Sequence, residues 1–441
     1  MLQSKKLFSY LFILIPFFLI TGPAMPDIVI TIGSIFGILF IFYYREYTQL
    51  LKINFFKISI IFWLSLIFIS LFSYNKISSF QDAFIFIRFL LIPLFCYFIF
   101  IKDLKIIKKS LFIIFILVIF VCIDSLYQFL NYTTEYGFGE DILGFKSNWY
   151  GRLTGPFGDE LIPGSYISKL GLLGFAYLIS LNKFEKNIFL HSIYLSLILL
   201  ICYVSGERMA FATFAFALFV LLIFLDGFRK SIVLSIFLGS LLIFLAIYLH
   251  PFYSDFEVIE STEFHQGQKI EKFFQCENNA NKACSKIINV QPSFIQILKN
   301  FKTSAYGEIY LLSYKMFLDN PFTGIGINNF KYLCNSNIIY KNMMENYNCA
   351  SHPHNIYIQW LAEGGLIVLI IFIIYLFSLI FFVINNDGEK KYKIISLVIL
   401  LIMFWPIMST GSLIKNWYGV ITFFIVGLCM CLSRFKKEHK T

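Results

Sequence analysis

Charge is what this chain most conspicuously lacks. Asp, Glu, Lys and Arg make up 14% of its 441 residues, against 58% hydrophobic and 20% aromatic. A soluble domain carries roughly 25% charged residues, so a water-soluble globule is excluded and a membrane protein is indicated. Several motifs are missing as well. There is no P-loop, no G-x-G-x-x-G following a strand, no H-E-x-x-H and no G-x-S-x-G. ATP-driven transport, dinucleotide chemistry and the common hydrolase layouts therefore have no support. No internal repeat, heptad array or low-complexity tail is present. Arginine is scarce: six against thirty lysines.

Long apolar runs fill the space that charge vacates. A bilayer core of ~30 Å needs ~20 apolar residues per helix, and scanning on that length gives about twelve candidates. They fall near 6–22, 26–44, 54–73, 82–101, 107–131, 162–181, 188–204, 208–226, 230–250, 364–385, 394–410 and 416–433. The first is not followed by a small-residue cleavage site and reads as a retained span. With the N-terminus in the cytoplasm, every inside segment is basic: Lys5 and Lys6; Arg45, Lys52 and Lys57; Lys102 to Lys109; Lys183 and Lys186; Arg229 and Lys230; Lys390 to Lys393; and the tail from Arg434. The short outside loops are nearly free of Lys and Arg. This positive-inside pattern accounts for the net charge of +10 without a nucleic-acid partner. The fold class predicted is an all-α polytopic membrane protein of about twelve transmembrane helices with one large, partly helical periplasmic loop. Its parts are nine spans in residues 1–250 with a short periplasmic segment near 131–160, the large loop 251–353, three spans in 354–433, and a cytoplasmic tail 434–441.

The large loop is electrically neutral, with nine Lys and nine Asp or Glu between 251 and 352. Four of the nine cysteines lie in it: Cys276, Cys284, Cys334 and Cys349. The other five lie in apolar runs, where a thiol behaves as a small hydrophobe. An even number on an oxidising side suggests two disulfides. Proximity pairs Cys276 with Cys284 and Cys334 with Cys349, though four cysteines allow three pairings. Zinc is the rival reading, and no C-x-x-C spacing supports it.

Three of the six arginines are not cytoplasmic flanks. Arg88 sits inside a run ("AFIFIRFLLIPLF"), Arg152 opens "GRLTGPFGDELIPGSY" on the outside, and Arg208 stands at the outer end of a span in "CYVSGERMAFATF". Arginine grips phosphate bidentately and keeps its charge when partly desolvated, and a charge at membrane depth is a functional candidate. Structural ion pairs, Arg208 with Glu207 or Arg88 with Asp82, are the alternative for each alone; three on one side favour an anionic ligand. Lys169 is a further cation at membrane depth, with Asp124 its candidate partner. At the outer mouth of the tenth run, His352 and His354 flank Pro353. Asn355, Gln359 and Glu363 then follow at i, i+4 and i+8, on one helical stripe. An imidazole crowning such a stripe is a candidate general base; a loop histidine in an ordinary hydrogen bond is the alternative. Upstream, "MFLDNPFTGIGINNF" reads as a tight turn that either exposes backbone amides to a cleft or simply ends a helix.

Together, "DNPFTGIGINNF" (319–330), "HPHNIYIQWLAEGGL" (352–366) and "SGERMAF" (205–211) resemble the signature stretches of the O-antigen ligase and O-antigen polymerase superfamily. Ligases of this family carry a His and a small polar residue, nine residues, then Gly; His354-Asn355 and Gly365 have that spacing. The likeness in motif detail covers roughly 200–405. It implies glycan transfer at the periplasmic face of a bacterial inner membrane, from undecaprenyl pyrophosphate to a sugar hydroxyl of lipid A–core, with inversion at the anomeric carbon. His354 would be the catalytic base, and Arg152, Arg208 and Arg88 the pyrophosphate ligands. His352, Asn355, Gln359 and Glu363 would support them. The leaving group is already activated, so the resemblance implies neither metal nor cofactor. Family ligases commonly place an arginine in the large loop before the Asn-Pro turn; this loop has none, and Lys302 or Lys315 is the candidate substitute, as a point charge rather than a fork. A polymerase joining lipid-linked repeat units is the first alternative, and a transporter of an anionic solute the second.

Overall fold

The computed structural model describes residues 9–43, 47–101, 104–133, 138–147, 151–181, 183–254, 256–259, 264–265, 268–269, 271–275, 286–290, 299–345 and 347–436. Helices dominate. The main ones are α1 Ala24–Tyr43, α2 Asn54–Ser70, α3 Lys76–Ile85, α4 Ile87–Ile101, α5 Leu104–Leu130, α6 Pro163–Ser180, α7 Ile188–Val204, α8 Arg208–Phe224 and α9 Arg229–Leu249, then α10 Ala305–Asp319, α11 Phe330–Ser336, α12 Ile338–Asn342, α13 Ile356–Asn385, α14 Lys390–Met403 and α15 Asn416–Leu432. Local chemistry sets several of these starts. Asn75, Asn187, Ser304 and Asn355 each cap the following helix by accepting a backbone N–H, and Pro163 stands in the first turn of α6, where its missing donor costs nothing.

Among the described residues, five helical stretches are long and apolar enough to cross a bilayer: Ala24–Tyr43, Lys76–Tyr97, Lys105–Leu130, Asp226–Leu249 and Ile356–Asn385. Four more apolar helices, α2, α7, α8 and α15, have 17 residues each, just under the ~20 that span the hydrocarbon. Large apolar side chains such as Phe36, Leu39, Phe42, Phe237, Phe244, Phe377 and Phe381 point outward, as lipid-facing surfaces require. By contrast, α15 is buried from Tyr418 to Leu432, and α6 is buried on nearly every face. Helices apolar all round belong at the centre of a bundle.

Sequence and structure part in four places. The run 82–101 is two helices, α3 and α4, beginning at Lys76. The run 394–410 is helical only to Met403, and residues 404–415 form an irregular segment. Helix α13 starts eight residues before the apolar run and is broken inside it at Gly365, where φ is +65°. The loop predicted as partly helical also contains five short strands: β1 Phe256–Ile259, β2 Phe264–His265, β3 Gln268–Lys269, β4 Glu271–Gln275 and β5 Lys286–Val290. They pair antiparallel in the orders β1-β4-β5 and β2-β3. Runs such as "EKFFQ" and "KIINV" carry the aromatic and β-branched residues that favour strands.

The two sets of connecting segments occupy opposite ends of the bundle. At one end the basic segments meet: Lys391 pairs with Glu185 at 2.7 Å and with Glu389 at 2.8 Å, Lys108 lies over the Phe435 ring, and Arg434 Nε donates to Asn386. At the other end, Leu153 N bonds Ser205 O, Tyr74 N bonds Ile325 O and Thr410 N bonds His354 O. Cys334 and Cys349 are disulfide-bonded, tying the C-terminus of α11 to the segment that leads into α13. Cys276 and Cys284 lie outside the described residues.

Candidate functional site

The N-terminal end of α13 is built from its cap. Asn355 Oδ1 accepts from Tyr357 N and Ile358 N at 3.0 Å each, and its Nδ2 donates to Pro406 O at 2.7 Å and Met408 O at 3.1 Å. One side chain thus starts the helix and moors the irregular 404–415 segment beside it. His354, just before the cap, has φ +55°, a left-handed conformation uncommon for a non-glycine residue. Its carbonyl accepts Thr410 N at 2.8 Å. That geometry turns its ring onto His352, centroid to centroid 4.1 Å, with the Tyr306 ring edge-on at 5.9 Å.

His352 has a defined tautomer. Its Nε2 lies 3.3 Å from Thr410 O and its Nδ1 2.8 Å from Ser351 Oγ. A carbonyl can only accept, so Nε2 carries the proton and the Ser351 hydroxyl donates to Nδ1. Burial pushes the His352 pKa down to about 4, with His354 and Lys415 adding to the effect. Burial also lowers His354. Both rings are therefore neutral at pH 7, and among the described residues no side chain hydrogen-bonds the His354 ring. A neutral, half-buried imidazole with no side-chain hydrogen bond is what a general base requires.

Below the histidines the predicted stripe is a closed network. Gln359 Nε2 donates to Glu363 Oε2 at 3.0 Å and to Ser412 Oγ at 2.8 Å, and Glu363 Oε1 accepts Phe330 N at 3.3 Å. Glu363 is fully buried. The Asn320-Pro321 turn packs against the break in α13. Ile325 N donates to Ala362 O at 3.0 Å, Gly326 N to Glu363 O at 2.9 Å, and Leu366 N to Pro321 O at 2.9 Å. The turn's amides thus satisfy the carbonyls that the helix break releases, instead of facing a cleft. A Cβ on Gly324 would lie 2.5 Å from the Glu363 carbonyl carbon, and one on Gly365 would lie 2.3 Å from Phe322 O, which is why glycine stands at both positions.

The arginines separate. Arg152 is drawn to the site: Leu153 N bonds Ser205 O, which lays residues 151–154 beside the turn before α8, and Arg152 Nη2 donates to Leu161 O at 3.1 Å. Its pKa is lowered chiefly by burial, with Glu207 opposing and Tyr306 also close enough to act on it. Tyr306 thus touches the His354 ring and stands within electrostatic reach of Arg152. Glu207 Oε2 accepts Ser165 N at 3.0 Å. Burial raises its pKa, and the charges of Arg152 and Lys169 oppose that rise. Arg208 follows Glu207 in the first turn of α8. Arg88 is engaged elsewhere: Nη1 lies 2.6 Å from Asp27, and Nη2 donates to Asn416 Oδ1 at 2.8 Å. It binds α1, α4 and α15 together, and its close partner is Asp27 instead of Asp82.

Lys169 Nζ donates to Ser165 O at 3.2 Å and lies over the Tyr418 ring. Asp124, offered as its partner, instead accepts Ile142 N at 3.1 Å and holds residues 138–147 against α5. Lys315 is paired with Asp319, whose other oxygen accepts the Tyr340 hydroxyl at 2.7 Å. Lys302 is exposed in the turn before α10. Sequence reasoning missed Tyr306, which no local pattern marks, and the 406–412 segment. There "MSTGS" (408–412) interrupts an apolar stretch, and that interruption was the available signal. His352, Lys169 and Lys415 line one cavity of about 260 Å3 beside these groups.

Residues 193–373 match the family model described as O-antigen ligase. The matched stretch runs from within α7 to within α13 and contains Arg208, Tyr306, the histidine pair, Glu363 and Gly365, while Arg152 and the 406–412 segment lie outside it. No curated protein matches the chain.

Proposed function

From that match, which supports the O-antigen ligase superfamily and a membrane enzyme of glycosyltransferase kind acting on lipid-linked glycans, we propose that the chain is a periplasmic-face O-antigen ligase. It transfers a glycan from undecaprenyl pyrophosphate to a lipid A–core sugar hydroxyl. The observation that carries this reading is the His354 ring, free of side-chain hydrogen bonds among the described residues and turned by a left-handed backbone toward Tyr306 and His352. His354 takes the proton of the acceptor hydroxyl. The oxygen attacks the anomeric carbon from the face opposite the pyrophosphate, and the sugar–oxygen bond to the phosphate breaks. Undecaprenyl pyrophosphate departs with the electron pair, and the configuration inverts. Arg152 and Arg208 hold the diphosphate and offset the charge that develops as it leaves. His352, fixed as a neutral donor to Thr410 O, leaves the basicity of His354 undiminished by a neighbouring positive charge. Asn355, Gln359 and Glu363 fix the backbone that carries both rings. No step requires a metal or cofactor.

The test is a lipopolysaccharide gel from a strain lacking the gene, complemented with wild type or with His354→Ala. Wild type restores the ladder. The variant gives bare core while glycan accumulates on the lipid carrier. Core bearing a single repeat unit without a ladder would identify a polymerase instead, and an intact ladder in the variant would remove His354 from the mechanism.

A further inference from the structure

Two buried carboxylates meet near the C-terminal end of α5 with no cation to offset them. Asp124 is 0% exposed and Asp141 3%. Asp124 Oδ1 accepts Ile142 N at 3.1 Å, and Asp141 Oδ1 accepts Phe145 N at 2.7 Å. The second oxygen of each, Oδ2, receives no hydrogen bond from the described residues. The two carboxyl groups lie within hydrogen-bond reach of each other, and no Lys, Arg or His among the described residues acts on either. Ionised carboxylates only accept, so two of them in contact away from water repel. A buried charge is tolerated when it is paired or coordinates a metal. A third oxygen faces the same space. Ser125 is fully buried, and its Oγ has no hydrogen-bond partner among the described residues. Ser125 and Asp124 both look onto the bare side of Gly155, where a Cβ would lie 2.6 Å from Ser125 Oγ and 3.7 Å from Asp124 Oδ2. Gln128 holds that glycine in place, since its Oε1 accepts Thr154 N at 3.0 Å and Gly155 N at 2.9 Å. Among the described residues no three His, Cys, Asp or Glu side chains form a metal-binding group, which leaves no set of the kind zinc takes. Two carboxylates and a hydroxyl are hard oxygen donors. They suit calcium, which accepts about six to eight oxygens in irregular geometry, water among them, better than magnesium, which demands a near-ideal octahedron.

We propose that Asp124, Asp141 and Ser125 bind a calcium ion, with water completing its shell, and that the ion clamps residues 138–147 and 154–155 to α5. The clamp is structural. It braces the chain on both sides of Arg152 and takes no part in glycan transfer, so it stands independently of the ligase reading. Ile142 and Leu143 are exposed at the tip of the 138–147 segment, and opening of that tip is the route by which the ion enters.

Thermal unfolding of the full chain in detergent, stripped with EGTA and then given CaCl2, tests this. Added Ca2+ should raise the melting temperature by about 2 °C or more, and equilibrium dialysis against radiolabelled Ca2+ should retain about one ion per chain. Asp141→Asn keeps an acceptor for Phe145 N but removes a charge, and should lose both the shift and the retained ion. Should that variant fail to fold, Ser125→Ala carries the test, because it removes a hydroxyl that bonds nothing else in the protein. It should weaken Ca2+ binding about tenfold, as expected for loss of one polar contact. Absence of any Ca2+ response in wild type overturns the proposal. An undiminished response in Asp141→Asn overturns it as well, since the ion would then sit elsewhere. Asp141→Asn melting higher than wild type, with or without Ca2+, would show that the two carboxyls share a proton instead.

Discussion

At His354 backbone and side chain make separate contributions, and substitutions can divide them. The φ of +55° is one that Asn adopts more readily than Ala. His354→Asn should therefore keep the wild-type melting temperature, whereas His354→Ala should lose about 1 kcal/mol to backbone strain. Both should lose glycan transfer by the roughly 10²–10⁴-fold that a general base supplies, measured as ladder formation in complemented cells or as transfer with purified protein. The pH dependence follows from the direction of the shift. Burial holds His354 below its ordinary value of 6.5, so the base form persists on mild acidification. Transfer should stay level down to about pH 6.5 and fall only below it. His352 adds a stability effect at the same position. Its folded pKa of about 4 is below the unfolded value of 6.5, so its contribution is intact above pH 6.5 and is lost as pH falls from there toward 4. Thermal unfolding followed against pH in that window checks the sign.

Helix α13 works as an element because it is capped at Asn355 and broken at Gly365. Asn355→Ala removes the cap, worth about 1 kcal/mol, and also the two bonds to Pro406 O and Met408 O. Its larger consequence should be mobility of residues 404–415, read as faster hydrogen exchange there than in α14. Gly365→Ala places a Cβ 2.3 Å from Phe322 O at a positive φ, and should cost at least the ~1–3 kcal/mol of a strained backbone residue. Much of this element was legible: the i, i+4, i+8 polar stripe and the small residues after it are sequence patterns with a fixed helical meaning. The break was not, because one Gly-Gly pair reads equally as close packing or as a kink. Only the partner turn at 321–326, distant in sequence, shows which. The same applies to "PFTGIG", whose glycines read as a binding loop and are instead required by contact with α13.

At the scale of the molecule, the end that collects Lys391, Glu185 and Arg434 and the end that collects His354, Arg152 and Thr410 should face opposite sides of a bilayer. Maleimide-PEG labelling in intact cells checks this. Lys302→Cys should react from outside and Lys390→Cys only after the inner membrane is permeabilised. The reverse result would invert the orientation and remove the periplasmic chemistry. Charge distribution made the two ends legible, since Lys and Arg of short loops report sidedness without any knowledge of packing. Which polar groups meet at one end was much less legible. Tyr306 and His354 are separated by a long stretch of chain and meet only through packing, and Arg88, equally conspicuous in sequence, is paired with Asp27 and Asn416.

From the sequence came the membrane class, the predominance of apolar helices, the basic and non-basic ends and the histidine just before α13. Each of these follows from transfer of side chains between water and lipid or from helical periodicity, both of which are local. Only packing set the tautomer of His352, the pairing of Arg88 with Asp27 and of Arg152 with Leu161 O, the breaking of α13 against its partner turn, and the cavity that Lys169 and Lys415 line. Those depend on which buried donor finds which acceptor across distant segments, and a one-dimensional pattern carries no record of that pairing.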